Sequence, residues 1–238
     1  MPETTLSTAA GEVGAYLAVP AGEPPWPGVV VLHELYGLNA DIRGHADRFA
    51  ARGYLALAPD LFSFRRPKAT CVLAAFRALS KRSGPAFVAI EAARDAIARR
   101  ADATGRVGVI GFCMGGGFAL LAAPRGWFEA SSVNYGVVPE DAAELLRGSC
   151  PIVATYGAKD RMLQGAAQRL DAALAASAVD RDVKEYPGAS HSLLNRHTGT
   201  VPMLIDRIAG IGYDAPAAQD ALRRIDAFFD RHVAERES

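Results

Sequence analysis

The strongest constraint on the fold comes from apolar runs too short to be helices and too uniform to be strands with one wet face. Val29-Val30-Val31-Leu32 and Val107-Gly108-Val109-Ile110 carry no polar side chain, whereas a strand exposed on one side alternates apolar with polar residues. Such runs need cover on both faces. Further Val- and Ile-rich segments bounded by turn residues predict strands at 28–32, 54–58, 106–110, 130–135, 152–156 and 182–186. Segments of helical periodicity lie between and beyond them, at 40–51, 84–100, 114–123, 141–146, 165–177 and 215–232. This alternation predicts an α/β fold, a mostly parallel central sheet with helices on both faces and right-handed crossovers. Residues 14–19 are expected to add an antiparallel edge strand.

The chain of 238 residues shows no internal repeat, low-complexity tract or polar linker, so one domain over 1–238 is expected. A chain this long buries roughly 70–75% of its unfolded surface without disulfide staples. Its three cysteines, Cys71, Cys113 and Cys150, are odd in number and far apart, without metal-ligand spacing, which points to a reducing, cytoplasmic setting. Lys+Arg and Asp+Glu both number 26. That balance argues against a nucleic-acid or polyanion partner, which needs a basic excess. The first 20 residues lack a basic and apolar leader pattern, and charged residues, Gly or Pro interrupt every apolar run, so neither export nor a membrane span is expected. A monomer or small homo-oligomer acting on a small molecule remains.

Residues 63–82 fit the alternation least well. They carry Arg65, Arg66, Lys68, Arg77, Lys81 and Arg82 after Pro59-Asp60, and are read as a solvated basic face at the rim where ligands enter open α/β sheets.

The most informative segment is Val109-Ile110-Gly111-Phe112-Cys113-Met114-Gly115-Gly116-Gly117, an apolar strand, a small-residue turn and a helix. Gly111 and Gly115 flank Cys113 as a nucleophile elbow requires, because the strained backbone leaves no room for neighbouring Cβ atoms. A thiol there sits at a helix N-terminus that favours thiolate, and the N–H of Met114 can face a substrate carbonyl oxygen. Two other readings compete at this point, a simply buried cysteine and a phosphate-binding turn. The dinucleotide fingerprint fails, since Cys113 stands where close approach to a pyrophosphate demands glycine.

Two later loops favour the nucleophile. Asp160 follows the strand at 152–156 within Gly157-Ala158-Lys159-Asp160, and His191 follows the strand at 182–186 within Pro187-Gly188-Ala189-Ser190-His191. Nucleophile, acid and histidine in that order, each after a strand, are the chain order of α/β-hydrolases. The roles match the residue types: Cys113 attacks an acyl carbon, His191 moves protons, and Asp160 fixes the imidazole. The other histidines, His33, His45, His197 and His232, lack comparable contexts and are expected to be structural or solvent-facing. The loop after the first central strand, His33-Glu34-Leu35-Tyr36-Gly37, should bring a second oxyanion donor, the N–H of Leu35, to the same sheet edge. Glu34 beside a thiolate needs a cation or a proton-accepting role. Tyr36, Phe62, Phe64, Tyr135 and Leu193 are the candidates to line the substrate pocket.

Together these segments resemble the dienelactone hydrolase family, a cysteine-dependent branch of the α/β-hydrolase fold. The resemblance rests on His33-Glu34-Leu35-Tyr36-Gly37, the elbow Gly111 to Gly116, the acid loop Gly157 to Asp160 and the Gly188-Ala189-Ser190-His191 loop, and it runs from about residue 11 to 232. It implies a resting thiol activated by Glu34, which an arginine partner releases when a substrate carboxylate binds arginines. Arg196 is the implied counterpart of the arginine after the histidine, one residue later than the family spacing, and Arg65 or Arg66 the counterpart beyond Asp60. The implied activity is carboxymethylenebutenolidase-like hydrolysis of a dienelactone, with no cofactor or metal. A general carboxylesterase or thioesterase, and a non-catalytic thiol sensor, are the alternatives.

Overall fold

The computed structural model describes residues 3–64, 68–197 and 211–235. Eight strands form one sheet: β1 (Glu3–Thr8), β2 (Gly11–Ala18), β3 (Trp26–Leu32), β4 (Leu55–Pro59), β5 (Ala103–Phe112), β6 (Ser131–Asn134), β7 (Ile152–Gly157) and β8 (Arg181–Tyr186). Their spatial order is β1-β2-β4-β3-β5-β6-β7-β8. From β4 to β8 every pairing is parallel, while β1–β2 and β2–β4 are antiparallel. The uniformly apolar runs occupy the middle of the sheet, and Val29 to Leu32 are fully buried. Helices cover it: α1 (Ala40–Ala50), α2 (Lys68–Lys81), α3 (Pro85–Ala98), α4 (Met114–Ala122), α5 (Ala142–Leu145), α6 (Ala166–Ala176) and α7 (Ala215–Phe229), all but α2 where periodicity predicts a helix.

Two expectations are corrected. The antiparallel strand over 14–19 is β2, but it is not at the edge, because β1 pairs along its outer side from Glu3↔Tyr16 to Thr8↔Gly11. With Leu6 the buried apolar residue of an otherwise polar β1, periodicity carried almost no signal there. The basic segment 63–82 contains helix α2, whose Cys71, Ala75 and Ala78 are buried. Arg77 and Lys81 on the same helix are exposed, so the charge count hid an amphipathic helix.

The topology places the ligand site. The chain runs from β3 outward to β4, then returns to lay β5 on the other side of β3. Loops leaving β3 and β5 therefore part in opposite directions and open a crevice at their carboxyl ends, where open α/β sheets bind ligands. Glu34 and Leu35 follow β3, and Cys113 follows β5.

Candidate active site

Cys113 occupies the turn between β5 and α4 with φ 54° and ψ −114°, a conformation that side chains other than glycine's rarely adopt. The surroundings enforce it. Its N–H donates to the Asn134 carbonyl at 3.0 Å, and its own carbonyl accepts from the Gly117 N–H at 3.1 Å. A Cβ on Gly111 would lie 2.0 Å from the Gly115 carbonyl oxygen, and one on Gly115 would lie 2.3 Å from the Leu32 carbonyl oxygen. Gly111 is thus a steric requirement of folding the turn onto the start of α4, and Gly115 of packing that start against the end of β3. Cys113 is half-buried, and Met114 opens α4, where the first N–H groups have no partner within the helix.

His191 and Asp160 meet this turn from the loops after β8 and β7. The His191 Nδ1–H donates to Asp160 Oδ2 at 2.6 Å, and Asp160 Oδ1 accepts from the Met162 N–H at 2.9 Å. The two loops are joined by Lys159 N–H to the Ala189 carbonyl, 2.9 Å. Both side chains are buried. His191 Nε2 is left facing Cys113. Burial pulls the His191 pKa down, but hydrogen bonding to Asp160 and to Cys113 outweighs it and raises the value to about 10. Tyr135 packs edge-on to His191, 5.1 Å between ring centres, and its phenol is pushed well above the usual range by burial, with Glu34 and Cys113 adding to it. By contrast, Cys71 is buried under α2, and burial pushes the Cys150 thiol up to about 12. Neither behaves as a nucleophile.

Glu34 is buried at the end of β3 and held from two sides. Oε2 accepts from Asn195 Nδ2 at 3.0 Å, and Oε1 forms an ion pair with His197 Nε2. Asn195 Oδ1 in turn accepts from His45 Nε2 at 2.8 Å, and His45 stacks on Phe112, 4.3 Å between ring centres. His33 lies behind Glu34. Its Nε2 accepts the Leu61 N–H at 2.9 Å, so its Nδ1 carries the proton and donates to the Glu34 carbonyl at 2.7 Å. His33 and His45 are structural, as expected. His197, set aside on sequence grounds, is buried against Glu34, and Asn195 was not singled out at all. The signal available was their position a few residues after His191 on the same loop.

A cavity of about 790 Å³ gathers Glu34, Leu35, Tyr36, Cys113, Met114 and His191, along with Tyr135 and His197. The candidate catalytic and oxyanion residues other than Asp160 thus share one space, and Asp160 is bonded to His191 at its margin. Phe62, Phe64 and Leu193 do not line it, in contrast to Tyr36 and Tyr135. Arg196 does not line it either: its guanidinium lies 4.1 Å over the Tyr213 ring, on an exposed residue whose N–H is turned to Asp41. The expected clamp from Arg196 is therefore corrected. The one-residue offset decides it, because Asn195 takes the place against Glu34 and its successor faces outward. Arg65 and Arg66 lie outside the described residues.

With this geometry in hand, likeness to known proteins becomes informative. The model of the family described as "Dienelactone hydrolase family" matches residues 13–233. The chain belongs to the dienelactone hydrolase family. As a member it is a carboxylic ester hydrolase of the α/β-hydrolase fold, acting on a small-molecule ester. A protein of Saccharolobus solfataricus provisionally named a carboxymethylenebutenolidase is 27% identical over 92% of this chain and 94% of its own length. A crystal structure from Klebsiella pneumoniae, provisionally titled a dienelactone hydrolase, is 25% identical and superposes with a TM-score of 0.75 over 96% of this chain and 97% of that one. A dienelactone hydrolase-like promiscuous phosphotriesterase from metagenomic libraries gives a TM-score of 0.80 over 98% of each chain at 23% identity, and shows the shared fold.

Proposed function

We propose that this family member hydrolyses esters or lactones through a Cys113-His191-Asp160 triad and a thioester intermediate. The observation that carries this reading is Cys113 at a strained elbow, lining one cavity with His191, whose Nδ1 is held 2.6 Å from Asp160. Cys113 Sγ adds to the substrate carbonyl carbon, and the N–H groups of Leu35 and Met114 receive the oxyanion. Collapse breaks the ester C–O bond. The leaving oxygen takes the Nε2 proton of His191, and for a lactone that oxygen stays tethered to the acyl group. Water then attacks the thioester, gives its proton to His191 and expels the thiolate.

By the family resemblance the first proton, that of the Cys113 thiol, goes to Glu34, which shares its cavity, once substrate disturbs the pairing of Glu34 with Asn195 and His197. An imidazolium at His191, favoured by Asp160 and by an ionised Cys113, then stabilises the thiolate and serves as acid for the leaving oxygen. After acylation the sulfur carries no charge, so its part in raising the ring pKa is gone and His191 works as a base on water. The acyl chemistry suits the lactone ring of a dienelactone, the substrate that the family resemblance implies, whereas Arg196 lies outside the cavity and does not hold its carboxylate there. Cys113→Ala should lower kcat on an activated aryl ester by about a thousandfold or more, with no acyl adduct visible by mass spectrometry after rapid quenching. Retained turnover in that variant would overturn the reading.

A further inference from the structure

We propose that the substrate is a neutral ester carrying an extended apolar substituent, seated in an arm of the cavity that runs along α4 away from Cys113. The proposal rests on the hydrolase reading above and names its substrate class. Cys113, Gly117 and Leu121 recur every four residues along α4, and all three line the cavity. At about 1.5 Å of rise per residue, that stripe extends roughly 12 Å from the nucleophile. Gly117 keeps its floor open, since a Cβ there would come 3.3 Å from Leu79 Cδ2 and begin to fill the space between α4 and α2. Phe76 and Leu79 of α2 wall one side, and Val137 and Pro139 of the loop after β6 wall the other.

Exposure and charge point the same way. Phe76 is 46% exposed and Val137 64% exposed although both face the cavity, so apolar surface gathers at its mouth as it does where a ligand completes the burial. At the far end Arg82 binds Asp141 through two hydrogen bonds, 2.6 and 2.8 Å, and its charge is compensated. Near the thiol Glu34 is likewise held, by Asn195 and His197. Among the described lining residues there is therefore no uncompensated arginine or lysine for a substrate carboxylate, and the arm penalises the desolvation of one. Each methylene it covers contributes about 0.8 kcal/mol, about fourfold in kcat/KM.

The test compares para-nitrophenyl esters from acetate to decanoate, equally long para-nitrophenyl monoesters of dicarboxylic acids, and a series lengthened on the alcohol side. The expected result is a rise of about fourfold per methylene over the first few carbons of one series, and an anionic ester roughly a hundredfold slower than its neutral equivalent. Val137→Asp should cut the ratio of long-chain to acetate kcat/KM by about tenfold or more, by setting a charge in the arm wall. Flat responses in both series, a preference for the anionic esters, or an unchanged ratio in Val137→Asp would overturn the proposal. Cys113→Ala run on the same panel separates the two levels. Turnover surviving in it sinks the triad itself, whereas a wild-type enzyme dependent on Cys113 but indifferent to chain length sinks only the substrate class.

Discussion

A buried carboxylate has to be held by donors, and Glu34 is held by Asn195 and His197 rather than by an arginine. The physical difference is one of charge and reach. An arginine brings a permanent cation with five donors, whereas an amide brings a neutral donor and a histidine a cation only when protonated. Removing one partner leaves a buried carboxylate under-paired, which is costly. His197→Ala should therefore destabilise the fold by about 3 kcal/mol in urea denaturation at neutral pH, and His197→Gln, which can still donate to Oε1, should recover part of that. Equal stability of both variants and the parent would show that the pair carries no weight. That Cys113, His191 and Glu34 share one cavity, with Asp160 against His191, was legible in the sequence because the elbow glycines and the strand-end positions mark them. Asn195 and His197 were not, since a polar residue on a loop acquires its meaning from the side chain it meets, 161 residues away in the case of Asn195 and Glu34.

Among the elements, the β5–turn–α4 unit was the most legible and α2 the least. The strand-to-helix turn has a local steric logic: Gly115 must let α4 pass against the end of β3, with no space for a methyl 2.3 Å from the Leu32 carbonyl oxygen. Backbone on backbone has no soft end that can yield. Gly115→Ala should accordingly cost about 3 kcal/mol, roughly 6–12 °C in Tm, and remove activity with it. Thermal melting within 2 °C of the parent, a margin of about 1 kcal/mol, would contradict the packing. Helix α2 was masked by its basic residues, and its role as the cavity wall through Phe76 and Leu79 follows from its lying against α4, which nothing in its own sequence specifies.

At the scale of the molecule, two buried histidines set opposite limits on stability. His45 is forced down to about 4 by burial, against its hydrogen bond to Asn195, so it is neutral when folded and charged when unfolded between pH 4 and 6.5. The unfolded chain then binds more protons, and stability falls as pH drops through that window, by up to about 3 kcal/mol. His191 is raised to about 10, so the folded chain binds more protons between 6.5 and 10, and its contribution is lost as pH rises through 10. Urea denaturation from pH 4.5 to 10 should trace a dome, with His45→Gln flattening the acid limb and His191→Gln the alkaline one; limbs unmoved by either change would refute the assignment. By itself the sequence determined the α/β class, the parallel core strands and the strand-end positions of Cys113, Asp160 and His191, because periodicity, turn sterics and strand-end placement are local properties of the chain. Only the tertiary structure decided that Asn195 and His197 hold Glu34, that Arg196 faces away from the cavity, and that α2 closes an apolar arm along α4. Those outcomes depend on which distant surfaces the sheet topology brings within a hydrogen bond or a van der Waals contact of one another.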